Sequence, residues 1–216
     1  YNETGSIFAK GENMKRIGVG VIGWGFMGRT HTHSLRAIPL FYQGLDFEPV
    51  LAGVCSRRLE KAKEAQEQLG FGFATDDYHA LLAREDIEVV SICTPNAMHE
   101  QMAIDAMRAG KHVYLDKPVA VTAEAAERML RVQRETGVKC QVVLNNRFFP
   151  STMRAHQLIE EGRLGEILSF TCRYLHSGSV DPNRAMGWKQ GLEGGVLLDM
   201  GSHALDLVTW LLGLPE

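Results

Sequence analysis

Short runs of Val, Ile, Leu and Cys alternate with windows of helical periodicity along most of this chain, and the pattern repeats five times from Arg16 onward. The runs are IGVGVI (17–22), PVLAGVC (49–55), a short GFGFA (70–74), EVVSIC (88–93), HVYL (112–115) and KCQVVL (139–144). Their near-continuous apolar content is what parallel strands covered on both faces require. Helical windows fall near 27–38, 58–69, 78–84, 97–109 and 123–136. Gly70, Gly110 and Gly137 stand where three of these would end, as a left-handed residue past a helix terminus does.

Strand-helix alternation of this kind predicts a doubly wound parallel sheet with right-handed crossovers. The expected fold class is α/β: a Rossmann-type domain over 14–139, followed by the start of an α+β domain over 140–216. Residues 1–13 are polar and irregular, precede Met14, and are read as a tail. After Phe149 the pattern changes to a helix (150–161), a strand ILSFTCRYLHS (167–177), a glycine-rich loop and an apolar helix over 196–213. At roughly 150 residues per domain, 216 residues make about one and a half domains.

The formal charge of −3 provides no broad footprint for nucleic acid or an anionic membrane, and no run of about 18 uncharged apolar residues exists to span one. Neither partner is expected. Cys55, Cys93, Cys140 and Cys172 lie far apart, without Cys or His neighbours at metal-ligand spacing. They are expected to be buried, reduced thiols in the cytoplasm, and no metal is expected.

Gly23-Trp24-Gly25-Phe26-Met27-Gly28 is a GxGxxG that directly follows a predicted strand and opens a predicted helix. In that setting the first glycine permits the tight turn, the second lets backbone approach a pyrophosphate, and the third lets helix and strand pack closely. Dinucleotide binding follows as the expectation. Where an acidic residue would accept the ribose hydroxyls of NAD, the second strand ends in Cys55-Ser56-Arg57-Arg58. A hydroxyl and two guanidinium forks suit a 2′-phosphate, so NADP is preferred over NAD. The competing reading makes Ser56 a helix cap and the arginines solvated.

Thr94, Pro95 and Asn96, with His99 one turn on, close the fourth strand at the sheet edge where ligands bind. Lys117, between Asp116 and Pro118, closes the fifth, where it could favour a developing alkoxide. In the closing helix the polar residues Asp199, Ser202, His203, Asp206 and Thr209 form one narrow stripe. It lacks the Lys and Glu of a solvent face and is read as facing a site. At i and i+4, Asp199 can reach His203 and would favour its imidazolium. A nicotinamide cofactor cannot itself take an alcohol proton, and His203 fits the required base.

These segments resemble the Gfo/Idh/MocA family of NAD(P)-dependent oxidoreductases, through VGVIGWGFMGRTH, SICTPNAMH, AGKHVYLDKPVA and GWKQGLEGGVLLDMGSHALDLVTWLLG in that order. The resemblance implies a catalytic trio of Lys117, Asp199 and His203 around the substrate carbon, with a Lys117–Pro118 peptide that is often cis. Asp116 replaces the family's usual glutamate. It also implies a sugar, polyol or similar cyclic substrate. Members usually continue into a second domain on a large sheet that often makes an oligomer interface, so the chain is read as a piece of a longer homo-oligomeric protein. Arg147, His176, Arg184, Trp188 and Lys189 are substrate candidates from flanking segments. The alternative is a cofactor-sensing regulator without catalysis.

Overall fold

In the computed structural model, residues 14–175, 177, 180, 181, 183 and 194–213 are described. Six parallel strands alternate with helices: β1 (Lys15–Ile22), α1 (Phe26–Phe41), β2 (Phe47–Cys55), α2 (Leu59–Leu69), β3 (Ala74–Thr75), α3 (Tyr78–Leu82), β4 (Val89–Ile92), α4 (His99–Arg108), β5 (His112–Leu115), α5 (Ala123–Thr136) and β6 (Cys140–Val142). The strand order is β3-β2-β1-β4-β5-β6. Reversal beside β1 opens a crevice at the carboxyl ends of β1 and β4, the switch point where open α/β sheets take ligands.

The strand termini are tied together there. Gly23 donates to the Cys55 carbonyl, Cys93 to Ile22, and Asp116 to Ile92. Alternate strand residues feed two cores: Val21 and Val54 pack with Ala62, Ala65 and Phe71 of one layer, while Ile22, Cys55, Val90 and Ile92 pack with Met102, Met107 and Met129 of the other. Helix ends follow the expected chemistry. Gly70 and Gly137 are left-handed at the ends of α2 and α5, and Thr122 caps α5 by accepting from the Ala125 N–H.

Several expectations are corrected. Coverage of both faces fails at β5, where Tyr114 and His112 are exposed. A cavity of about 530 Å³ lies under α1, lined by Met27, His31, Leu35, Ile38, Tyr114 and Val143 among others. The sheet runs past 139, because β6 pairs with β5. Cys55 is buried, but Cys93 and Cys140 are only partly so and Cys172 is exposed. No strand forms among residues 167–175, since ladder hydrogen bonds need a neighbouring strand and none of the described residues provides one.

Beyond β6 come a 3₁₀ turn (Asn145–Phe148), α6 (Pro150–Glu160), a π turn (Leu197–Gly201) and α7 (Ser202–Leu212). The single helix expected over 196–213 is thus interrupted at its start. None of the described helices is long and apolar enough to cross a membrane.

Candidate active site

The glycine turn divides its three tasks as its spacing demands. Gly23 sits at φ +100°, and a Cβ there would stand 2.6 Å from the Cys93 carbonyl oxygen. A Cβ on Gly28 would stand 2.1 Å from the Gly23 oxygen, so only glycine lets α1 start this close to β1. At Gly25, by contrast, a Cβ would meet nothing within 4 Å. That open space lies over the first turn of α1, which has no side-chain cap and no acidic residue. Unpaired N–H groups and the positive end of the helix dipole therefore face it. Phe26 is exposed there, whereas Met27 lines the cavity under α1.

At the end of β2, Ser56 is buried and its N–H donates to Thr75, while Arg57 and Arg58 are exposed. Ser56 does not cap α2: Arg58 is the first flanking residue, and no side chain caps it. Neither arginine forms an ion pair among the described residues. At the end of β4, Pro95 is exposed and Asn96 buried, and the buried Thr94 Oγ1 has no hydrogen-bond partner among the described residues. An unpaired buried hydroxyl beside a ligand crevice is a group left for a ligand or water to satisfy. The expectation that His99 meets a cofactor is corrected. It is fully buried, with Nδ1 2.8 Å from the Pro118 oxygen and Nε2 3.0 Å from the Thr94 oxygen, and so braces the crevice from beneath.

Lys117 follows β5 and its peptide bond to the buried Pro118 is cis. Its N–H donates to Asp116 Oδ1 at 2.9 Å. Its Nζ donates to both the carbonyl oxygen (2.6 Å) and Oδ1 (3.0 Å) of Asp199, across 82 residues of sequence. The π turn at Leu197–Gly201 widens the helix where that carbonyl meets the ammonium, and such turns recur at functional sites.

Of the polar stripe of the closing helix, Asp199 meets Lys117 and Asp206 meets Arg147, while Ser202 and Thr209 donate to carbonyls of their own helix. His203 is buried, and it is the one buried residue of α7. Burial holds its imidazole below the ordinary range and the Lys117 charge adds to this; Asp116, Asp199 and Asp206 pull the other way without prevailing. The pull of Asp199 toward the imidazolium has the expected sign, but burial and Lys117 outweigh it. Asp199 turns to Lys117, and Nδ1 of His203 has no hydrogen-bond partner among the described residues.

Tyr174 lies parallel to the His203 ring, with centroids 5.8 Å apart. It was invisible beforehand because its segment reads as an ordinary strand. Arg147, a substrate candidate, instead holds Asp206: Nε donates to Oδ2 at 2.8 Å and Nη2 to Oδ1. The other substrate candidates, His176, Arg184, Trp188 and Lys189, lie outside the described residues. No group of three or more His, Cys, Asp or Glu side chains among the described residues could hold a metal ion.

The chain is similar in sequence and fold to known proteins. The profile of the oxidoreductase family with an NAD-binding Rossmann fold matches residues 17–144, and that of the GFO/IDH/MocA C-terminal domain matches residues 152–216. Levoglucosan dehydrogenase of Pseudarthrobacter phenanthrenivorans is 36% identical over 203 residues, covering 93% of this chain and 52% of that protein. D-glucoside 3-dehydrogenase of Escherichia coli is 34% identical over 165 residues, covering 76% of this chain and 47% of its own length. A solved levoglucosan dehydrogenase in complex with NADH and levoglucosan superposes with a TM-score of 0.88 at 36% identity, over 92% of this chain and 54% of that one. The chain spans about half the length of the curated relatives it matches.

Proposed function

The chain belongs to the GFO/IDH/MocA oxidoreductase family, and from that premise we propose that it carries the cofactor and proton-transfer machinery of a dehydrogenase. Its substrate would be a secondary alcohol or ketone of a sugar, polyol or similar cyclic compound. The observation that carries this reading is the meeting of Lys117 with Asp199, 82 residues away in sequence, within electrostatic reach of His203. A pure cofactor sensor has no need of that constellation.

A bound nicotinamide dinucleotide supplies the hydride carrier. The backbone around Gly23, Gly25, Phe26, Met27 and Gly28 would hold its pyrophosphate at the uncapped start of α1. Ser56, Arg57 and Arg58 would meet the adenosine end, and Thr94, Pro95, Asn96, Asp116 and Pro118 would line the crevice toward the reacting end. The two exposed guanidinium groups favour NADP. The NADH complex of the neighbouring levoglucosan dehydrogenase favours NAD as the second reading. Arg57→Ala with Arg58→Ala separates them: NADP affinity falls much more than NAD affinity under the first, and equally under the second.

His203 takes the alcohol proton, since a buried neutral imidazole is a competent base near neutral pH. Lys117 orients the substrate oxygen and favours its developing negative charge. Asp199 holds the ammonium in place through two acceptors. The scattered, unpaired cysteines add a cytoplasmic location to the reading, and the family resemblance adds self-association.

The decisive experiment follows nicotinamide reduction with a sugar and polyol panel, on this chain and on a form extended to the length of its relatives. Lys117→Ala and His203→Ala should each abolish turnover while cofactor affinity stays nearly unchanged. Full turnover in both variants removes the assignment.

A further inference from the structure

Arg147 and Asp206 form the best-aligned ion pair near the crevice that the catalytic reading leaves without a role. Arg147 lies on the 3₁₀ turn just after β6, and its fork grips both oxygens of Asp206. The Asp206 side chain is only 8% exposed. It stands three residues after His203, on the same side of α7. Two parallel charge-assisted hydrogen bonds fix direction as well as distance, which a single contact does not.

α7 is mostly half-buried. Its one buried residue is His203, while Leu205 and Leu212 are exposed. Lys117 pins the π turn before His203 through Asp199. Trp210, beyond it, stacks on His156 of α6 with centroids 4.2 Å apart. Between these, the grip on Asp206 ties α7 by hydrogen bonds to the segment leaving the sheet.

We propose that Arg147 is a positioning residue: its fork on Asp206 sets the rotation of α7 about its axis and screens that carboxylate from His203. The inference rests on His203 being the base. Charged groups face the imidazole from each packed element: Lys117 and Asp116 from the end of β5, Asp199 from the π turn, and Asp206 from α7, with the Tyr174 ring alongside. Of the three carboxylates, Asp206 alone is held by an arginine among the described residues. Removing that guanidinium leaves a nearly buried, uncompensated carboxylate one turn from the imidazole, which then binds its proton more tightly.

The test is an NMR titration of His203 in histidine-labelled protein, assigned with His203→Gln and requiring neither cofactor nor substrate. Arg147→Gln should move the His203 midpoint upward, Asp206→Asn should move it downward, and the double variant should return it close to the original. Arg147→Lys, which keeps the charge, should also stay close to the original. Unmoved midpoints in both single variants overturn the proposal, as does a raised KM in Arg147→Gln with an unchanged titration, which is the mark of a substrate ligand. If Arg147→Gln fails to fold, the downward shift in Asp206→Asn decides alone. Loss of turnover in His203→Ala combined with an unmoved titration rejects this inference and keeps the catalytic reading; the opposite pattern rejects the catalytic reading only.

Discussion

The Rossmann sheet and the closing segment of this chain are held by different forces. In the sheet, Val21, Val54, Val90, Ile92 and Leu115 are fully buried between helical layers. In the closing segment, Val196, Leu197 and Leu205 are exposed, His203 is the one buried residue of α7, and Lys117 and Arg147 tie Asp199 and Asp206. Apolar packing is strong and non-directional, so it suits a scaffold. Ion pairs with fixed forks are weaker but directional, so they suit the aiming of one imidazole. The difference assigns stability to the first region and geometry to the second.

Two glycines offer the strongest way to break that contrast. A Cβ at Gly18 would lie 1.7 Å from the Asp86 carbonyl oxygen, a backbone atom that cannot step aside. Gly18→Ala should therefore cost at least about 3 kcal/mol, read as a lowered urea midpoint. A Cβ at Gly201 would meet only the tip of Leu197, an exposed side chain, at 2.8 Å, and the backbone there is already helical. Gly201→Ala should be neutral or stabilising by up to about 1 kcal/mol. Equal losses at both sites would mean that the closing segment is packed as tightly as the sheet.

Truncation of apolar side chains sharpens the same point at smaller amplitude. Ile92→Ala, at a fully buried site, should cost about 2–5 kcal/mol. Leu197→Ala, at a residue 65% exposed, should change stability by less than about 0.5 kcal/mol.

Acid is the mildest probe, because each region holds a buried histidine whose pKa is lowered. His31 bonds Ser91 Oγ through Nδ1, and burial lowers its pKa despite Asp116; His203 is lowered by burial and by Lys117. Both fold preferentially as neutral rings. Stability should thus be level above the ordinary imidazole range, near pH 6.5, and fall as pH drops through that range toward the lowered folded values. Thermal midpoints across pH should show this decline, and His203→Gln should remove only the closing segment's share. A midpoint that rises with acid would contradict both burials.

Much of the scaffold was legible in the chain because its signals are local. The Val and Ile runs, the glycines past α2 and α5, and the GxGxxG each act within a few residues, so the strands and helices fall close to their expected places. The Lys117 and His203 positions were legible for the same reason, from a strand end and from helical periodicity. Long-range consequences were not. His99 looked like a ligand contact because its two carbonyl partners, Thr94 and Pro118, meet only through the fold. The run around Cys172 reads as a strand, yet a strand exists only where another chain segment supplies its hydrogen bonds.

The sequence by itself determined the α/β alternation, the phosphate-ready turn and the residue types at the crevice, since each depends on periodicity or on one residue's conformational range. The partners at the site and the balance of charge around His203 come from the fold. Burial and Lys117 outweigh three carboxylates and lower the pKa of His203, and Arg147 answers Asp206 across 59 residues of sequence. Charge and desolvation act through space, and no spacing along the chain records which groups the fold will bring within reach of one another.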